Sequence, residues 1–384
     1  MRFPEFSGEW NKYTINDLAT VVGGGTPDTT VKSYWGGDIQ WFTPSEIGKN
    51  KYVDFSKRTI TRDGLDNSSA KLLPLHTILL SSRATVGECS IASNECTTNQ
   101  GFQSLIAKQC NIDFLYYLIQ TKKKDLIRNA CGSTFLEISA NEIRKIKVAV
   151  PVQNEQEQIA KLLSLIDERI ATQNKIIEDL KKLKSAIIDY AINSLDTDFG
   201  KFGSLYEMAG EGGTPTTSNA SFYDNGKIPF IKIDDLKQKY LVENNDFITE
   251  LGLQKSSAWL VPTRSILFSN GATIGEITIT TYPVCTKQGI LGIVPKQSID
   301  VEFLYYFMSS SYFKKAVSRI VTEGTMKTAY LKDINNILCP IPTKEKQQEI
   351  VKMPSALNSK IDIEQSILKL FITQKQHLLR QMFI

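Results

Sequence analysis

The sequence predicts an α+β protein in which two duplicated α/β domains alternate with two long helices. Two observations support this prediction. An apolar heptad pattern occupies the middle of the chain and returns 191 residues later, at its end. The globular stretches before the two patterns share a series of short motifs in the same order. A domain that is duplicated together with the helix that follows it explains both observations.

The first long helix is predicted over residues 154–194. Pro151 ends a short apolar strand, Asn154 is a candidate N-cap, and no further Pro or Gly occurs before Gly200. Such a helix is about 60 Å long at about 1.5 Å per residue, and its apolar seam needs a partner. Gln173 and Lys184 are the two polar residues in the seam. Its apolar members are Ile159, Leu163, Ile166, Ile170, Ile177, Leu180, Ile187 and Ala191.

The partner for this seam is predicted in the same chain, over residues 344–384. Its start repeats that of the first helix, because Pro151-x-x-x-Glu155-Gln156 is echoed by Pro342-x-x-Glu345-x-Gln347. Pro354 departs from the repeat, since it stands where the first helix has Leu163. Proline disrupts a helix interior, so we expect this helix to be kinked at Pro354 or to begin after it. The seam residues are Ile350, Leu357, Ile361, Leu368, Phe371, Leu378 and Met382.

The two globular stretches show the duplication most clearly. Their shared motifs are offset by 188 to 192 residues, which indicates small insertions in the loops of domains with one core. Stretches 28–38 and 48–70 show little similarity to 216–227 and 237–257, as expected if each copy recognises something different. The matched motifs are Gly24-Gly25-Thr26-Pro27 with Gly212-Gly213-Thr214-Pro215, Arg83-Ala84-Thr85-Val86-Gly87-Glu88 with Gly271-Ala272-Thr273-Ile274-Gly275-Glu276, Gln100-Gly101 with Gln288-Gly289, Phe114-Leu115-Tyr116-Tyr117 with Phe303-Leu304-Tyr305-Tyr306, and Gly132-Ser133 with Gly324-Thr325. The predicted division is therefore 1–150, 151–197, 198–342 and 343–384.

Composition argues against several classes of protein. The chain of 384 residues has no apolar run long enough to span a membrane, and its N-terminus lacks the apolar core of a signal peptide. Six cysteines without a C-x-x-C pair and only two histidines argue against a zinc site and favour a reducing cytoplasm. The net charge of +4 permits a nucleic-acid partner without requiring one.

Catalytic motifs are missing from the sequence. Gly23-Gly24-Gly25 is neither a P-loop nor a dinucleotide fingerprint, because neither motif is completed by the residues that follow. There is no Asn/Asp-Pro-Pro-Tyr/Phe stretch of an amino-methyltransferase and no nucleophile elbow. His76 is interpreted as a structural or surface histidine. Recognition is the function class that remains.

Polar residues near strand ends are the candidate recognition residues. Arg and Lys pair with guanine edges, Asn and Gln pair with adenine, and hydroxyl groups reach phosphates. Gly24 and Gly212 are interpreted as turn formers rather than contacts. The candidate DNA contacts are Thr26, Lys32, Tyr34, Ser81, Arg83, Thr98, Asn99 and Gln100 in the first half, and Ser269, Asn270, Thr286, Lys287 and Gln288 in the second.

The order of the motifs resembles the specificity subunit of type I restriction–modification systems. The resemblance covers about residues 10–384 and rests on the paired motifs, each followed by a long helix with a Glu-Gln-type start. It implies that the globular stretches are target-recognition domains and that the helices form an antiparallel intramolecular coiled coil. It also implies a subunit without catalytic activity or cofactor of its own, which reads the two halves of a split target in double-stranded DNA.

The same resemblance implies the partners. Two modification subunits carrying S-adenosylmethionine would dock and methylate adenine, and two restriction subunits driven by ATP, with Mg²⁺, could join them; no membrane contact is implied. Two other interpretations stay open. A scaffold that organises partners without nucleic acid would show no salt-dependent affinity for DNA. An enzyme acting alone would form product from DNA and a cofactor, although the missing motifs speak against it.

Overall fold

The computed structural model describes residues 2–132, 136–271, 273–321 and 327–383. The chain forms two compact units, Met1–Asn174 with Ser366–Ile384, and Lys175–Gln365. Each unit contains one globular stretch and a part of both long helices. Four residues of the matched motifs lie outside the described residues: Ser133, Ala272, Gly324 and Thr325.

The first unit is built around a five-stranded sheet. Its strands are β1 (Asn11–Thr14), β2 (Ala19–Gly23), β3 (Trp35–Phe42), β4 (Tyr52–Val53), β5 (Arg58–Ile60), β6 (Ile78–Leu80), β7 (Cys89–Ala92), β8 (Cys96–Thr98), β9 (Gln103–Ala107) and β10 (Lys147–Val150). Its helices are α1 (Ile15–Leu18), α2 (Arg62–Asp66), α3 (Ile112–Thr121), α4 (Lys123–Arg128), α5 (Ala140–Lys145) and the first part of α6 (Gln153–Asn193). The five-stranded sheet has the order β2-β9-β6-β7-β4, beside a three-stranded sheet β5-β3-β8 and the pair β1-β10.

The second unit repeats this topology strand for strand. Its strands are β11 (Phe199–Lys201), β12 (Tyr206–Glu211), β13 (Ile228–Ile231), β14 (Tyr240–Leu241), β15 (Phe247–Ile248), β16 (Ile266–Ser269), β17 (Ile277–Thr280), β18 (Cys285–Thr286), β19 (Ile290–Pro295) and β20 (Leu338–Pro340). Its helices are α7 (Glu250–Gln254), α8 (Val301–Ser309), α9 (Ser311–Ile320), α10 (Leu331–Ile334) and the first part of α11 (Lys344–Met382). The sheets are β12-β19-β16-β17-β14, β15-β13-β18 and β11-β20.

The two long helices complete the core of each unit. In the first unit, Leu163 near the start of α6 and Leu378 near the end of α11 are buried in one apolar cluster with the sheet and α3. In the second unit, Ile192 near the end of α6 joins the core against which Ile350 near the start of α11 packs. The helices are therefore antiparallel within each unit. The predicted α+β fold with duplicated domains and paired long helices is confirmed.

Several local predictions need correction. The first long helix begins at Gln153, so Asn154 lies inside it and is not its N-cap. Helix α3 has Asn111 as its N-cap, whose side chain accepts from Phe114 N at 3.0 Å. Thr98, one of the candidate contacts, ends strand β8 and is buried there. At the end of α6, Ile188 and Ile192 are buried in place of Ile187 and Ala191. This change of face follows because the helix end packs on the core of the second unit.

The second long helix passes through Pro354. It runs without a break from Lys344 to Met382, so the expectation that it begins after Pro354 was wrong. The two helices have 41 and 39 residues, which makes them nearly equal in length at about 60 Å. Packing of α11 on the core of the second unit therefore outweighs the free-energy cost of a proline in the helix interior.

Candidate nucleic-acid interface

In the first unit, the predicted contact loops meet at one edge of the sheets. Gly23 at the end of β2 pairs with Gln103 at the start of β9. Leu80 at the end of β6 pairs with Cys89 at the start of β7, and the ends of β3 and β8 lie side by side. The loops that follow β2, β3, β6 and β8 are therefore neighbours, and we call them the first loop edge.

Four predicted residues come together on the first loop edge. The Thr26 hydroxyl donates to the Gln100 side-chain carbonyl, which joins the loop after β2 to the loop after β8. Arg83, Asn99 and Gln100 line a depression of about 370 Å³ together with the residues that follow β3. Among the residues that the structure describes, the Arg83 side chain forms one long ion pair, 3.7 Å from Glu137, and both side chains are about half exposed. Such a pair adds little stability, which leaves the guanidinium available to a phosphate or a guanine.

Five predicted contacts are buried instead of lining the surface. Ser81 donates to the Arg83 carbonyl at 3.1 Å, and Ser269 donates to the Thr273 carbonyl at 2.5 Å. Asn270 donates to the Ala329 carbonyl at 3.2 Å. These buried side chains hold the loop backbone in place through hydrogen bonds to its carbonyl groups. The buried residues are Ser81, Thr98, Ser269, Asn270 and Thr286; the exposed ones are Lys32, Arg83, Gln100, Lys287 and Gln288; Thr26, Tyr34 and Asn99 are partly exposed.

An exposed arginine that is not among the predicted contacts lies on the three-stranded sheet. The Arg58 guanidinium stacks 3.5 Å from the centroid of the Trp35 ring and 5.6 Å from that of Trp41. Stacking on an aromatic face fixes a guanidinium in place while it keeps its donors free for a phosphate or a base. Lys32 and Tyr34 lie in the 3-10 turn that directly precedes Trp35. The linear sequence carries no signal for the stack, because Trp35 and Arg58 meet only through the pairing of β3 with β5.

The second unit has an equivalent set of loops, those that follow β12, β13, β16 and β18, which we call the second loop edge. Gln288 N donates to Thr214 Oγ1 at 3.3 Å, and Gly289 N donates to Glu211 Oε1 at 3.1 Å. Lys287 is held through its backbone, which donates to the Ile231 carbonyl at 2.9 Å. The exposed side chains of Lys287 and Gln288 therefore project from a fixed backbone.

Two equivalent glycines allow the loops of each edge to pack closely. A methyl group at Gly24 would overlap the Thr98 side chain and the Asn99 carbonyl. A methyl group at Gly212 would overlap the Thr286 side chain and the carbonyl of the next residue. The geometry agrees with their interpretation as turn formers, and close approach, rather than an unusual backbone angle, is the reason.

The described residues offer little for other kinds of chemistry. Within these residues, no group of three His, Cys, Asp or Glu side chains is placed to hold a metal ion. A search of the same residues finds no helix with the length and apolar character that crossing a membrane requires. Burial raises the pKa of the Cys89, Cys96 and Cys110 thiols to about 12, so these thiols are poor nucleophiles near neutral pH.

Comparisons with known proteins agree with the duplication. A family profile described as the type I restriction modification DNA specificity domain matches residues 7–182 and 196–370. The specificity subunit of the type I restriction enzyme MjaIX from Methanocaldococcus jannaschii is 30% identical over 377 residues, which cover 90% of this chain and 86% of that subunit. The EcoR124I/EcoR124II specificity subunit from Escherichia coli is 28% identical over 190 residues, 47% of this chain and 46% of that subunit.

Two solved structures share the fold. The S subunit of a type I restriction–modification system from M. genitalium superposes with a TM-score of 0.55 at 17% identity, covering 100% of this chain and 99% of that chain. A chain from a structure of the type I R-M system, described for its complex assembly and conformational transition, superposes with a TM-score of 0.63 at 14% identity, covering 98% of both chains.

Proposed function

The chain belongs to the type I restriction–modification DNA specificity family, and on that basis we propose that its two loop edges read the two halves of a split target in double-stranded DNA. The observation that carries this proposal is the duplication itself. Two units with the same strand order present equivalent loop edges, while the sequences of the connecting loops differ. A shared scaffold with different loops is suited to reading two different sequences.

A specificity subunit is a non-catalytic component, so the reactions take place on partner subunits. We propose two modification subunits, which bind S-adenosylmethionine and methylate adenine, and restriction subunits that use ATP and Mg²⁺. In this arrangement, residues 1–150 and 198–342 are target-recognition domains. Residues 151–197 and 343–384 are the spacer helices, and the starts of α6 at Gln153 and α11 at Lys344 support these boundaries.

The exposed residues of the loop edges are the proposed direct contacts. Arg83, Lys32 and Lys287 would bind phosphates or guanines, and Gln100 and Gln288 would reach base edges. Thr26, Tyr34 and Asn99 lie at the rim, and Arg58 adds a stacked guanidinium in the first unit. The buried set, Ser81, Thr98, Ser269, Asn270 and Thr286, would act by holding the loops in shape.

Methylome sequencing tests the proposed function directly. A host expressing the modification subunit should gain a split, adenine-methylated motif only when this chain is also expressed. The absence of a new motif, despite a stable complex of the two subunits, would overturn the proposal. The scaffold alternative predicts in addition that this chain contributes no salt-dependent affinity for DNA to the complex.

Replacing Arg83 with alanine tests the first loop edge. If Arg83 binds a base, affinity for the target falls by about 1–3 kcal/mol and discrimination is relaxed in one half-site only. If it binds a phosphate, affinity falls by the same factor for all DNA sequences. The slope of log K against log salt concentration then decreases in magnitude by about 1. The matched control is Arg128→Ala, at an exposed arginine on α4. Equal effects of the two substitutions would exclude Arg83 from the interface.

A further inference from the structure

A buried lysine joins the first loop edge to α6. The Lys51 side chain is 8% exposed and lies at the end of the loop after β3. Its ammonium donates to Ser164 Oγ on α6 at 2.6 Å and lies 2.8 Å from Asp113 Oδ1 on α3. The Tyr52 hydroxyl donates to the same carboxylate at 2.8 Å. One cation therefore connects the edge of the five-stranded sheet, the packed helix α3 and the long helix.

The second unit contains the same arrangement. Lys239 is 4% exposed, and its ammonium donates to Glu302 Oε2 at 2.7 Å and to Ser355 Oγ on α11 at 3.0 Å. It also donates to the Tyr306 hydroxyl at 3.0 Å, while the Tyr240 hydroxyl donates to Glu302. Burial lowers the pKa of Lys239, but its hydrogen bonds to Glu302 and Tyr306 outweigh burial and raise the pKa overall. The lysine therefore stays charged.

The two lysine networks are copies of each other. Lys51 and Lys239 differ by 188 in number, Asp113 and Glu302 differ by 189, and the two serines differ by 191. These are the offsets that relate the duplicated motifs. The lysines lie in stretches 48–70 and 237–257, which otherwise differ between the halves, yet each stretch keeps a Lys-Tyr pair. Both loops therefore keep a lysine that bonds to a carboxylate and to a serine of a long helix, although the rest of their sequences differ.

We propose that Lys51 and Lys239 are positioning residues that lock each loop edge onto the long helix of its own unit. The proposal rests on the proposed function, because a protein that reads two half-sites at one spacing needs each edge held at a fixed angle to its helix. With these locks in place, the gap between the half-sites is selected sharply. Without them, the edges can tilt and accept targets with altered gaps.

The chemistry of the network suits a positioning role better than a stabilising one. A buried ion pair adds little net stability, because desolvation offsets much of the attraction. Its hydrogen bonds are directional, however, and in each unit a carboxylate and a serine hydroxyl from two different helices hold the ammonium in one place. At Lys239 the Tyr306 phenol adds a third acceptor. An apolar contact in this position would allow the elements to slide. Asp113 and Glu302 remain 29% and 25% exposed, so either carboxylate can be solvated if its lysine is replaced.

The test uses the complete chain in complex with its modification subunit. The double variant Lys51→Met with Lys239→Met removes both cations and keeps similar side-chain volume. The matched control, Lys124→Met with Lys315→Met, removes two exposed lysines on α4 and α9. Binding is measured on duplexes in which the gap of the split motif is shortened or lengthened by one or two base pairs.

The lock predicts a specific pattern. The control and the unmodified chain bind duplexes with the preferred gap more tightly than duplexes with an altered gap. In the double variant this ratio of affinities falls about tenfold, while the affinity for the preferred gap changes little. Should the double variant fail to fold, Ser164→Ala with Ser355→Ala removes the two helix hydroxyls that accept from the lysines, keeps both cations, and should give the same pattern. Unchanged gap discrimination, or an equal loss at every gap, would overturn the lock. Failure of the unmodified complex to bind any split duplex would instead overturn the proposed function.

Discussion

Replacing Pro354 with alanine probes the cost of a proline inside a long helix. Pro354 lies in the interior of α11, is buried, and directly precedes Ser355 of the lysine network. Proline has no N–H, so the Ile350 carbonyl receives no helical hydrogen bond from it, and the ring crowds that carbonyl. A proline in a helix interior is about 3 kcal/mol less favourable than an alanine.

The expected gain is smaller than this difference. Alanine lacks two of the three side-chain carbons of proline, and each buried methylene contributes about 0.8 kcal/mol. The loss of about 1.6 kcal/mol leaves a net stabilisation of about 1–2 kcal/mol. A unit of 150–250 residues changes its melting temperature by about 2–4 °C per kcal/mol, so the transition of the second unit should rise by about 2–8 °C.

Scanning calorimetry on the purified chain measures this change. The control is Leu163→Ala, at the equivalent position of α6, where a fully buried leucine is truncated. That substitution should destabilise the first unit by about 2–5 kcal/mol. A lower melting temperature for Pro354→Ala would refute the reasoning, because it would show that the packing of the ring, or a bend that it introduces, matters more than the backbone.

Three further outcomes are expected. Lys184 on α6 donates to Asn358 at 3.0 Å, and burial lowers its pKa. The unfolded state therefore binds more protons between the folded pKa and the usual value near 10.4, and stability rises with pH in that window. Urea unfolding at pH 8 and pH 10 should show this rise in the unmodified chain and a smaller one in Lys184→Met; equal rises would contradict it. Gly24→Ala should cost about 2 kcal/mol or more through overlap with the Asn99 carbonyl, whereas Gly8→Ala, where a methyl group meets nothing within 4 Å, should be neutral in thermal unfolding. Alkylation at pH 8 followed by mass spectrometry should modify the exposed Cys131 first, since the other five thiols are buried; faster modification of any of those five would contradict the structure.

The sequence by itself determined the architecture. A heptad seam and a repeated motif order are local signals, and both long helices and the duplicated sheets follow from them. Even the polar interruptions of the seam are informative. Lys184 and Lys375 occupy equivalent positions of the two helices, and Lys375 lies 2.7 Å from Asp167 in the first unit while Lys184 bonds to Asn358 in the second.

Only the tertiary structure decided which polar residues are available for recognition. Ser81 and Arg83 are two residues apart, yet one hydroxyl is buried against the loop and the other side chain is about half exposed. The Trp35–Arg58 stack and the lysine networks join residues that are far apart in the chain. The exposure of a side chain and its bonding partners depend on how the strands pair and how the loops fold. Both are set by residues that are far apart in the chain. Periodicity and propensity report only on neighbours in the chain, and for that reason they reveal the elements but not the surface that the elements build.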